Sequence, residues 1–245
     1  MNLLEVQGLR KTYPAFRRED VSFSVPEGAV MGLIGRNGAG KSTTLKSILG
    51  LVHPDAGRVE MFGREFSENE RYIKENIGVV LGGIDFYPKK KVRTITDVTR
   101  RFYSNWQEEK YRHYLDLFAI DENKRVDQLS SGMRVKYLLA LALSHNARLL
   151  ILDEPTSGLD PVSRDELAEL LRRIAADGTR SVLFSTHITS DLEKCASHIT
   201  FIQEGRLQRS DTLAGFMAHY ADLGSTLEEI IVAAERRPYD ADAII

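Results

Sequence analysis

The chain has 245 residues, of which 42% are hydrophobic and 28% charged, a balance typical of a globular domain rather than of a disordered or fibrous protein. Its formal net charge of -2 supplies no overall field favouring nucleic acid, and its single cysteine, Cys195, excludes an internal disulfide. The longest apolar runs, such as 149–152, are too short to span a bilayer. Any function at a membrane therefore needs another chain to cross it.

The N-terminal part of the chain, to residue 83, alternates short strands and turns around one glycine-rich loop. Apolar and polar residues alternate over 3–14 and stop at a Tyr-Pro pair, which predicts an edge strand followed by a turn. Val30–Ile34 is almost continuously apolar, as expected for a strand buried on both faces, and it leads into the loop and a helix. Ile77–Gly83 is predicted to be a further buried strand.

The pattern becomes helical at about residue 87. From Thr94 to Ile120, apolar residues recur at the spacing of amphipathic helices, so we predict a helical insertion over about 87–144. An aromatic set lies within it, and we interpret the set as the core of the insertion rather than as a stacking platform for nucleic-acid bases. Its members are Phe102, Tyr103, Trp106, Tyr111 and Tyr114.

Strands resume after the insertion. The apolar segments 148–155 and 181–187 flank a predicted helix over Val162–Ala176, and this strand–helix–strand order predicts a parallel sheet. A hairpin is predicted to turn at Glu204–Gly205, and 213–245 is predicted to be a mostly helical tail. The alternation of strands and helices places the chain in the α/β class.

The strongest chemical signal is Gly35–Thr43, which matches the pattern G-x-x-x-x-G-K-[ST], follows an apolar strand and opens a helix. Its glycines let the backbone bend so that successive N–H groups point inward. Lys41 supplies positive charge for the β- and γ-phosphates, and the Ser42 hydroxyl suits Mg²⁺. A chance glycine-rich turn is the alternative. The predicted nucleotide-binding residues here are Gly35, Arg36, Asn37, Gly38, Ala39, Gly40, Lys41, Ser42 and Thr43.

Two carboxylates and a histidine follow the next apolar strands. Asp153 comes at the carboxyl end of its strand, where doubly wound sheets bind ligands, and would hold Mg²⁺ through water opposite Ser42. Glu154 would then polarise the attacking water. His187 emerges at the same edge of the sheet and can reach a γ-phosphate. Taken singly, these residues are also ordinary strand-end or surface residues, and the phosphate loop before them favours catalysis.

In this order and spacing the segments resemble the ATP-binding subunit of an ABC transporter, over a domain of residues 1–212. The resemblance is carried by Gly35–Thr43, Leu129–Met133, Leu149–Glu154, Ser157–Asp160 and His187. It implies a P-loop NTPase with a RecA-like core, an antiparallel β subdomain and a helical insertion. It also implies that two subunits pair head to tail with two ATP molecules between them.

The segment LSSGM, Leu129–Met133, resembles the family's signature loop, usually written LSGGQ, which caps the γ-phosphate held by the other subunit. The resemblance implies that Ser130 offers its hydroxyl, while Ser131 and Gly132 use backbone N–H groups at a helix N-terminus. Without the family, the same segment is an ordinary serine N-cap. Asp160 lies in the segment SGLD, which resembles the family's loop that crosses the dimer interface.

Tyr13 resembles the aromatic residue that stacks on adenine, although an ordinary strand aromatic is the alternative. Two positions depart from the family's pattern. Gly82 stands where the family usually has a glutamine that touches Mg²⁺ and the attacking water, so a neighbour such as Asp85 or a water must substitute, or hydrolysis is slower. Met133 replaces the glutamine of the signature loop, and a serine replaces its first glycine. The backbone donors survive this second change, so we expect capping to persist.

The resemblance therefore predicts a bacterial ATP-hydrolysing subunit that drives a separate transmembrane permease, with export as the expected direction. ATP and Mg²⁺ are its predicted ligands, its predicted partner is a second ATP-binding subunit in a homodimer or heterodimer, and no nucleic acid is involved. The cytoplasmic face of the cell membrane is the predicted location. The alternatives are a soluble ABC-type ATPase acting on ribosomes or DNA, and a regulatory ATP-binding subunit with little turnover. A nucleotide kinase is disfavoured because no acceptor site is evident.

Overall fold

A computed structural model describes the backbone of residues 1–13, 16–81 and 87–236, and the side chains of these residues except 13 and 16–19. The strands are β1 (Asn2–Tyr13), β2 (Phe16–Pro26), β3 (Val30–Ile34), β4 (Ala56–Met61), β5 (Arg64–Glu65), β6 (Ile77–Val80), β7 (Leu149–Asp153), β8 (Ser181–Thr186), β9 (His198–Gln203) and β10 (Arg206–Thr212). The helices are α1 (Lys41–Ile48), α2 (Phe66–Asn76), α3 (Val92–Thr99), α4 (Glu108–Leu117), α5 (Ser131–Ser144), α6 (Pro161–Ala175), α7 (Thr189–Cys195), α8 (Leu213–His219) and α9 (Leu227–Glu235). Short 3-10 turns lie at Arg100–Phe102 and Val126–Gln128.

The described strands form a sheet in the order β5-β4-β1-β2-β10-β9-β3-β8-β7-β6. The neighbours from β9 through β3, β8 and β7 to β6 pair in parallel, whereas β2, β1, β4 and β5 pair antiparallel. The predicted parallel sheet is confirmed. The predicted edge position of β1 is wrong, because β1 pairs with β2 on one side and β4 on the other. Alternation reports which face of a strand is covered, and it carries no information on how many neighbours the strand has.

The parallel strands are covered on both faces, as the continuous apolar runs predict. Every residue of β3, β7 and β8 is buried. One core packs α5, α6 and α7 against the sheet around Phe184 and Leu150, and a second core packs α1 and the antiparallel strands around Leu45 and Leu183. Because both faces are covered, the only polar openings of these strands are their ends, and the candidate site lies at the carboxyl ends.

The helices between β6 and β7 have a core of their own. Its buried residues are Val92, Ile95, Tyr111, Leu115, Ile120, Val126, Leu129, Tyr137 and Leu141. The Thr96 hydroxyl lies 2.7 Å from the Tyr111 hydroxyl and 2.9 Å from the Tyr137 hydroxyl, so the buried polar atoms at the centre are hydrogen-bonded. Burial accordingly raises the pKa of Tyr111 to about 12.

The predicted burial of one member of the aromatic set is wrong. Phe102 is 73% exposed. Val98, four residues earlier and within α3, is already 53% exposed, so Phe102 continues a solvent-facing side of this segment into the 3-10 turn Arg100–Phe102. Tyr103, in contrast, stacks on His145 with ring centroids 3.7 Å apart.

Most predicted elements after the insertion are confirmed. The helix predicted at Val162–Ala176 is α6, which begins one residue earlier, and the predicted hairpin turns at Glu204 and Gly205, with φ angles of 51° and 79°. These two left-handed residues suit a tight turn between β9 and β10. No helix in the described part of the chain is both long and apolar enough to cross a membrane.

Candidate functional site: a phosphate loop facing two carboxylates

The phosphate loop runs from the end of β3 to the start of α1. Gly40 caps α1 in the left-handed conformation, with φ 106°, and has no side chain to accept from the helix's first N–H groups. The β9–β10 hairpin contacts the loop, because Gly205 N donates to Ala39 O at 3.0 Å. A Cβ at Gly35 would lie 2.1 Å from Ile202 O, so only glycine fits there. The fold thus leaves backbone donors at a positive helix end for a ligand.

Lys41 is the first residue of α1 and is only 5% exposed. Its Nζ donates to Gly35 O at 2.7 Å and to Arg36 O at 3.3 Å. The same nitrogen lies 3.3 Å from Glu154 Oε1. The ammonium is therefore held inside the loop by carbonyls and faces one carboxylate across the site.

Asp153 ends β7 and is buried. Its Oδ1 accepts the Ser42 hydroxyl at 2.9 Å and the Ser185 hydroxyl at 2.6 Å. Ser185 lies on the neighbouring strand β8, and its Oγ also accepts Glu154 N at 2.9 Å. This one hydroxyl thus fixes both the carboxylate of Asp153 and the backbone of Glu154.

Glu154 takes a left-handed φ of 50°, an unusual value for a residue with a side chain. Its Oε1 lies 3.3 Å from Lys41 Nζ, and its Oε2 lies 2.9 Å from Nδ1 of His187. His187 follows β8 and is 41% exposed at the side chain. The carboxylate is held between two partners at the mouth of the site, which is a geometry suited to accepting a proton from water.

These groups surround a cavity of about 540 Å³. It is lined by Asn37, Gly38, Gly40, Lys41, Ser42, Thr43, Glu154, Ser157 and His187. Lys41 and Glu154, which are more than 100 positions apart in the chain, therefore line one cavity, as expected for residues at the carboxyl ends of parallel strands. The combination of inward N–H donors, an ammonium and two carboxylates suits a triphosphate and its hydrolysis.

The signature-like segment lies elsewhere and does not line this cavity. Ser130 caps α5, and its Oγ accepts Met133 N at 3.2 Å. Ser131 Oγ donates to Gly158 O at 3.2 Å, and a Cβ at Gly132 would lie 3.3 Å from Ser163 Oγ. The segment is thus tied to the loop before α6, within its own chain.

Asp160 caps α6. Its Oδ1 accepts Val162 N at 3.0 Å and Ser163 N at 3.1 Å, and its Oδ2 accepts the Ser163 hydroxyl at 2.6 Å. The Ser163 hydroxyl, followed by the Ser163 backbone N–H, lowers the pKa of Asp160. In the single chain this residue therefore acts as a helix cap. The Tyr13 side chain and residues Gly82 and Asp85 lie outside the part of the chain that the structure describes.

Comparison with protein families resolves what this arrangement belongs to. The family model for ABC transporters matches residues 18–157, which include the phosphate loop, the signature-like segment and both carboxylates. The chain belongs to the ABC transporter family.

Two curated relatives illustrate the family's range. The bacitracin transport ATP-binding protein BcrA of Bacillus licheniformis is 32% identical over 208 residues, covering 84% of this chain and 68% of the relative. The Nod factor export ATP-binding protein I of Burkholderia orbicola is 39% identical over 191 residues, covering 76% of this chain and 62% of the relative. The chain thus spans about two thirds of the length of these relatives.

Solved structures agree with the ABC fold. The ATP-binding subunit of an ABC transporter superposes with a TM-score of 0.84 and 28% identity, covering 96% of this chain and 100% of that chain. The ATP-binding cassette MJ0796, solved as a dimer with ADP and phosphate, superposes with a TM-score of 0.75 at 21% identity and supports the fold alone. The predicted family, the predicted P-loop fold and the assignment to the ATP-binding, ATP-hydrolysing subunits are confirmed.

Some residues of this ABC site are not evident from sequence. Ser185 joins Asp153 to the backbone of Glu154, but a serine in a buried strand gives no distinctive pattern. Its only signal is its position two residues before His187. Ser157 lines the cavity through the turn after β7. Glu235, in the tail, contacts the phosphate loop at Arg36, a contact across 199 residues that no local pattern indicates.

Proposed function

We propose that two copies of this chain enclose two molecules of Mg-ATP, hydrolyse them, and so drive a separate membrane-spanning subunit that exports its substrate. The observation that carries the proposal is the convergence of Lys41, Glu154 and His187 around one cavity at the N-terminus of α1. Asp153 lies beside that cavity and accepts the Ser42 hydroxyl. Each of these residues has a distinct task there.

The phosphate loop binds and orients the triphosphate. Its N–H groups and Lys41 Nζ face the cavity, where they neutralise the β- and γ-phosphates. The ammonium now lies 3.3 Å from Glu154, and an incoming phosphate is a stronger partner for it. Binding of ATP therefore frees Glu154 from Lys41, so that its carboxylate becomes available to a water.

Glu154 is the general base of the proposed reaction. Its carboxylate accepts a proton as water oxygen bonds to the γ-phosphorus and the bond from that phosphorus to the bridging oxygen breaks, giving ADP and phosphate. His187 Nδ1 lies 2.9 Å from Glu154 Oε2 and holds the base in orientation. The residue also lines the cavity, where it can reach the γ-phosphate. Lys41 offsets the charge that develops on the phosphoryl oxygens.

The residues present fit Mg²⁺. The Ser42 hydroxyl and the Asp153 carboxylate are hard oxygen donors 2.9 Å apart. Magnesium commonly takes one or two such protein groups together with substrate phosphates. When bound, the ion supplies charge neutralisation at the phosphate oxygens.

The dimer is proposed because the chain's own signature loop does not reach its own cavity. Ser130, Ser131 and Gly132 lie at the start of α5, exposed or packed on the loop before α6. Family members use this loop on the partner's ATP. A second copy of the chain would bring its Ser130 hydroxyl and α5 N-terminus to the open side of the cavity, where Asp160 and the loop before α6 also lie near the interface.

The membrane partner is proposed to dock between the core and the helical insertion. A second cavity, of about 240 Å³, is lined by β6 and by α3 and α5, including Val79, Leu81, Tyr103 and Leu138. Both curated relatives described above carry transport or export in their names. The proposed location is the cytoplasmic face of the cell membrane, where ATP is available.

The proposal is tested by steady-state phosphate release from the purified chain with Glu154→Gln. Glutamine keeps the shape and cannot accept the proton, so we expect a loss of about a hundredfold or more in kcat with ATP binding retained. The same variant, saturated with Mg-ATP, should elute as a dimer in size-exclusion chromatography. Glu109→Gln, an exposed glutamate in the first turn of α4, is the matched control and should behave as wild type. An unchanged rate for Glu154→Gln contradicts the catalytic assignment.

A regulatory subunit with little turnover is the second candidate, and Gly82 is the observation that favours it. Glycine has no side chain to place beside an attacking water, where the family usually has glutamine. Tight ATP binding together with negligible phosphate release by the wild-type chain, with or without its membrane partner, would select this candidate. Gly82→Gln should then raise the rate.

A further inference from the structure

We propose that the C-terminal helix α9 positions the phosphate loop through Glu235, which makes Glu235 a positioning residue for ATP binding. The proposal rests on the proposed function insofar as this loop holds ATP. Glu235 is the last residue of α9 and is only 8% exposed. Its Oε1 accepts the backbone N–H of Arg36 at 3.1 Å, and its Oε2 lies 3.7 Å from Arg36 Nε.

Arg36 is the residue through which this contact reaches the ligand. Its carbonyl accepts Lys41 Nζ at 3.3 Å and Ala39 N at 3.0 Å. One peptide group on each side of Arg36 is therefore fixed, the N–H by Glu235 and the carbonyl by Lys41. Displacing Arg36 would move a carbonyl that holds the ammonium and change the curvature of the loop.

The helix that carries Glu235 is itself firmly attached. Leu227 and Ile230 have no exposed surface and pack into the main core, and Leu227 N donates to Glu193 Oε1 at 2.7 Å. At the other end, Gln203 Nε2 donates to Ala234 O at 3.0 Å, one residue before Glu235. Gln203 ends β9, next to Ile202, whose carbonyl touches Gly35. Core, tail and loop thus meet at one place.

A carboxylate beside an anion-binding loop repels the anion, so its presence there points to a structural task. Here the charge lies against Arg36, and the hydrogen bond goes to an N–H that would otherwise be left near the base of the loop without this acceptor. The exposed guanidinium makes a weak ion pair, so we infer that the backbone hydrogen bond is the more important contact. An amide oxygen at the same place can accept the same N–H.

The test uses the full-length chain with Glu235→Ala, Glu235→Asp and Glu235→Gln. We expect Glu235→Ala to raise both KM for ATP and the directly titrated Kd by about fivefold, the equivalent of one lost hydrogen bond. Glu235→Asp, which shortens the reach, should raise them by about threefold, and Glu235→Gln should stay within about twofold of wild type. The value of kcat should stay within about twofold in all three, because Glu154 and His187 are untouched.

Glu228→Gln is the matched control, since it removes one negative charge from an exposed position on the same helix. A second readout needs no turnover: hydrogen exchange of the peptides spanning 35–41 in nucleotide-free protein should be faster in Glu235→Ala than in wild type or Glu228→Gln. If Glu235→Ala does not fold, the Asp variant decides the question.

Wild-type KM and loop exchange in Glu235→Ala or Glu235→Asp would overturn the proposal. So would an equal rise in KM for Glu228→Gln, since that would report charge rather than position, or a lower melting temperature with unchanged Kd, since that would report a structural role alone. If wild type itself binds no ATP, the proposed function fails instead. The two failures are thereby distinguished.

Discussion

Two helices of this chain begin with a segment suited to phosphate, and the two beginnings are built differently. At α1, the N-cap Gly40 is left-handed and has no side chain to accept from the first N–H groups. At α5, Ser130 accepts Met133 N at 3.2 Å. The first lies in a cavity with an ammonium and carboxylates, while the second lies on the surface, against the loop before α6.

This difference shows how each helix end can be used. The N-terminus of α1 has donors to spare and needs a ligand, so it is a binding site within its own chain. At the N-terminus of α5 the cap already satisfies Met133 N, yet a serine hydroxyl that accepts an N–H keeps its own proton to donate. The N-terminus of α5 is therefore suited to donate one hydrogen bond to an anion that another molecule holds. When that contact is released, the helix remains capped.

Of the substitutions that test this difference, Ser130→Arg should have the largest effect on turnover. A bulky cation at the start of α5 removes the hydroxyl and obstructs a facing subunit, so we expect turnover to fall by about a hundredfold, as for loss of a transition-state donor. The affinity of a single chain for ATP should change by less than about twofold, because Ser130 does not line the cavity. Phosphate release and nucleotide titration measure the two quantities. Ser104→Arg, an exposed serine in the same insertion, is the control, and a shared loss in both variants would contradict the assignment.

The buried end of α5 allows a sharper contrast with its exposed start. His145 follows α5, is 2% exposed and stacks on Tyr103. Burial lowers its pKa to about 4. Between pH 6.5 and 4 the unfolded chain therefore binds a proton that the folded chain does not, and stability falls with falling pH over that window.

The expected fall in the free energy of unfolding is about 3 kcal/mol; it is absent above pH 6.5 and accumulates as the pH falls to 4. Urea unfolding at pH 7, 5.5 and 4.5 measures it. His145→Gln should lower stability at pH 7 but flatten the slope, whereas His113→Gln, at an exposed position on α4, should leave the slope unchanged. Parallel slopes for wild type and His145→Gln would show that His145 stays solvated.

Ser131→Gly should have the smallest effect. It restores the family's usual residue and removes the hydrogen bond from Ser131 Oγ to Gly158 O. That bond is exposed, so we expect turnover to change by less than about threefold. Steady-state kinetics with wild type alongside measures the change. A loss of more than about tenfold would mean that the Ser131 side chain itself contacts ATP.

Local signals predicted the parts of the molecule that are local. The phosphate loop is one contiguous segment between a buried strand and a helix, and β3 has the bounds that its apolar run predicts. The meeting of Glu154 and His187 follows from parallel-strand logic, because the carboxyl ends of neighbouring strands share an edge. The serines of the signature-like segment predict a helix start there, and α5 begins at Ser131.

What sequence did not supply depends on long-range contacts. The number of neighbours of β1, the link through Ser185 and the contact of Glu235 with Arg36 all join segments that are far apart in the chain. Periodicity also fails at Phe102, which lies on a solvent-facing side of the insertion that Val98 already shares within α3. Local patterns report burial and turns, but they do not report which distant segment provides the neighbour.

The central claim is that a working site combines one chain's phosphate loop with another chain's signature loop. Mixing Lys41→Ala with Ser130→Arg tests it most directly, because each variant alone lacks one half of every site. Mixed dimers contain one intact composite site, so we expect an equimolar mixture to regain phosphate release to about a quarter of the wild-type rate under random pairing into two-fold dimers. A rate equal to the average of the two inactive variants, with mixed dimers present, would contradict the shared site.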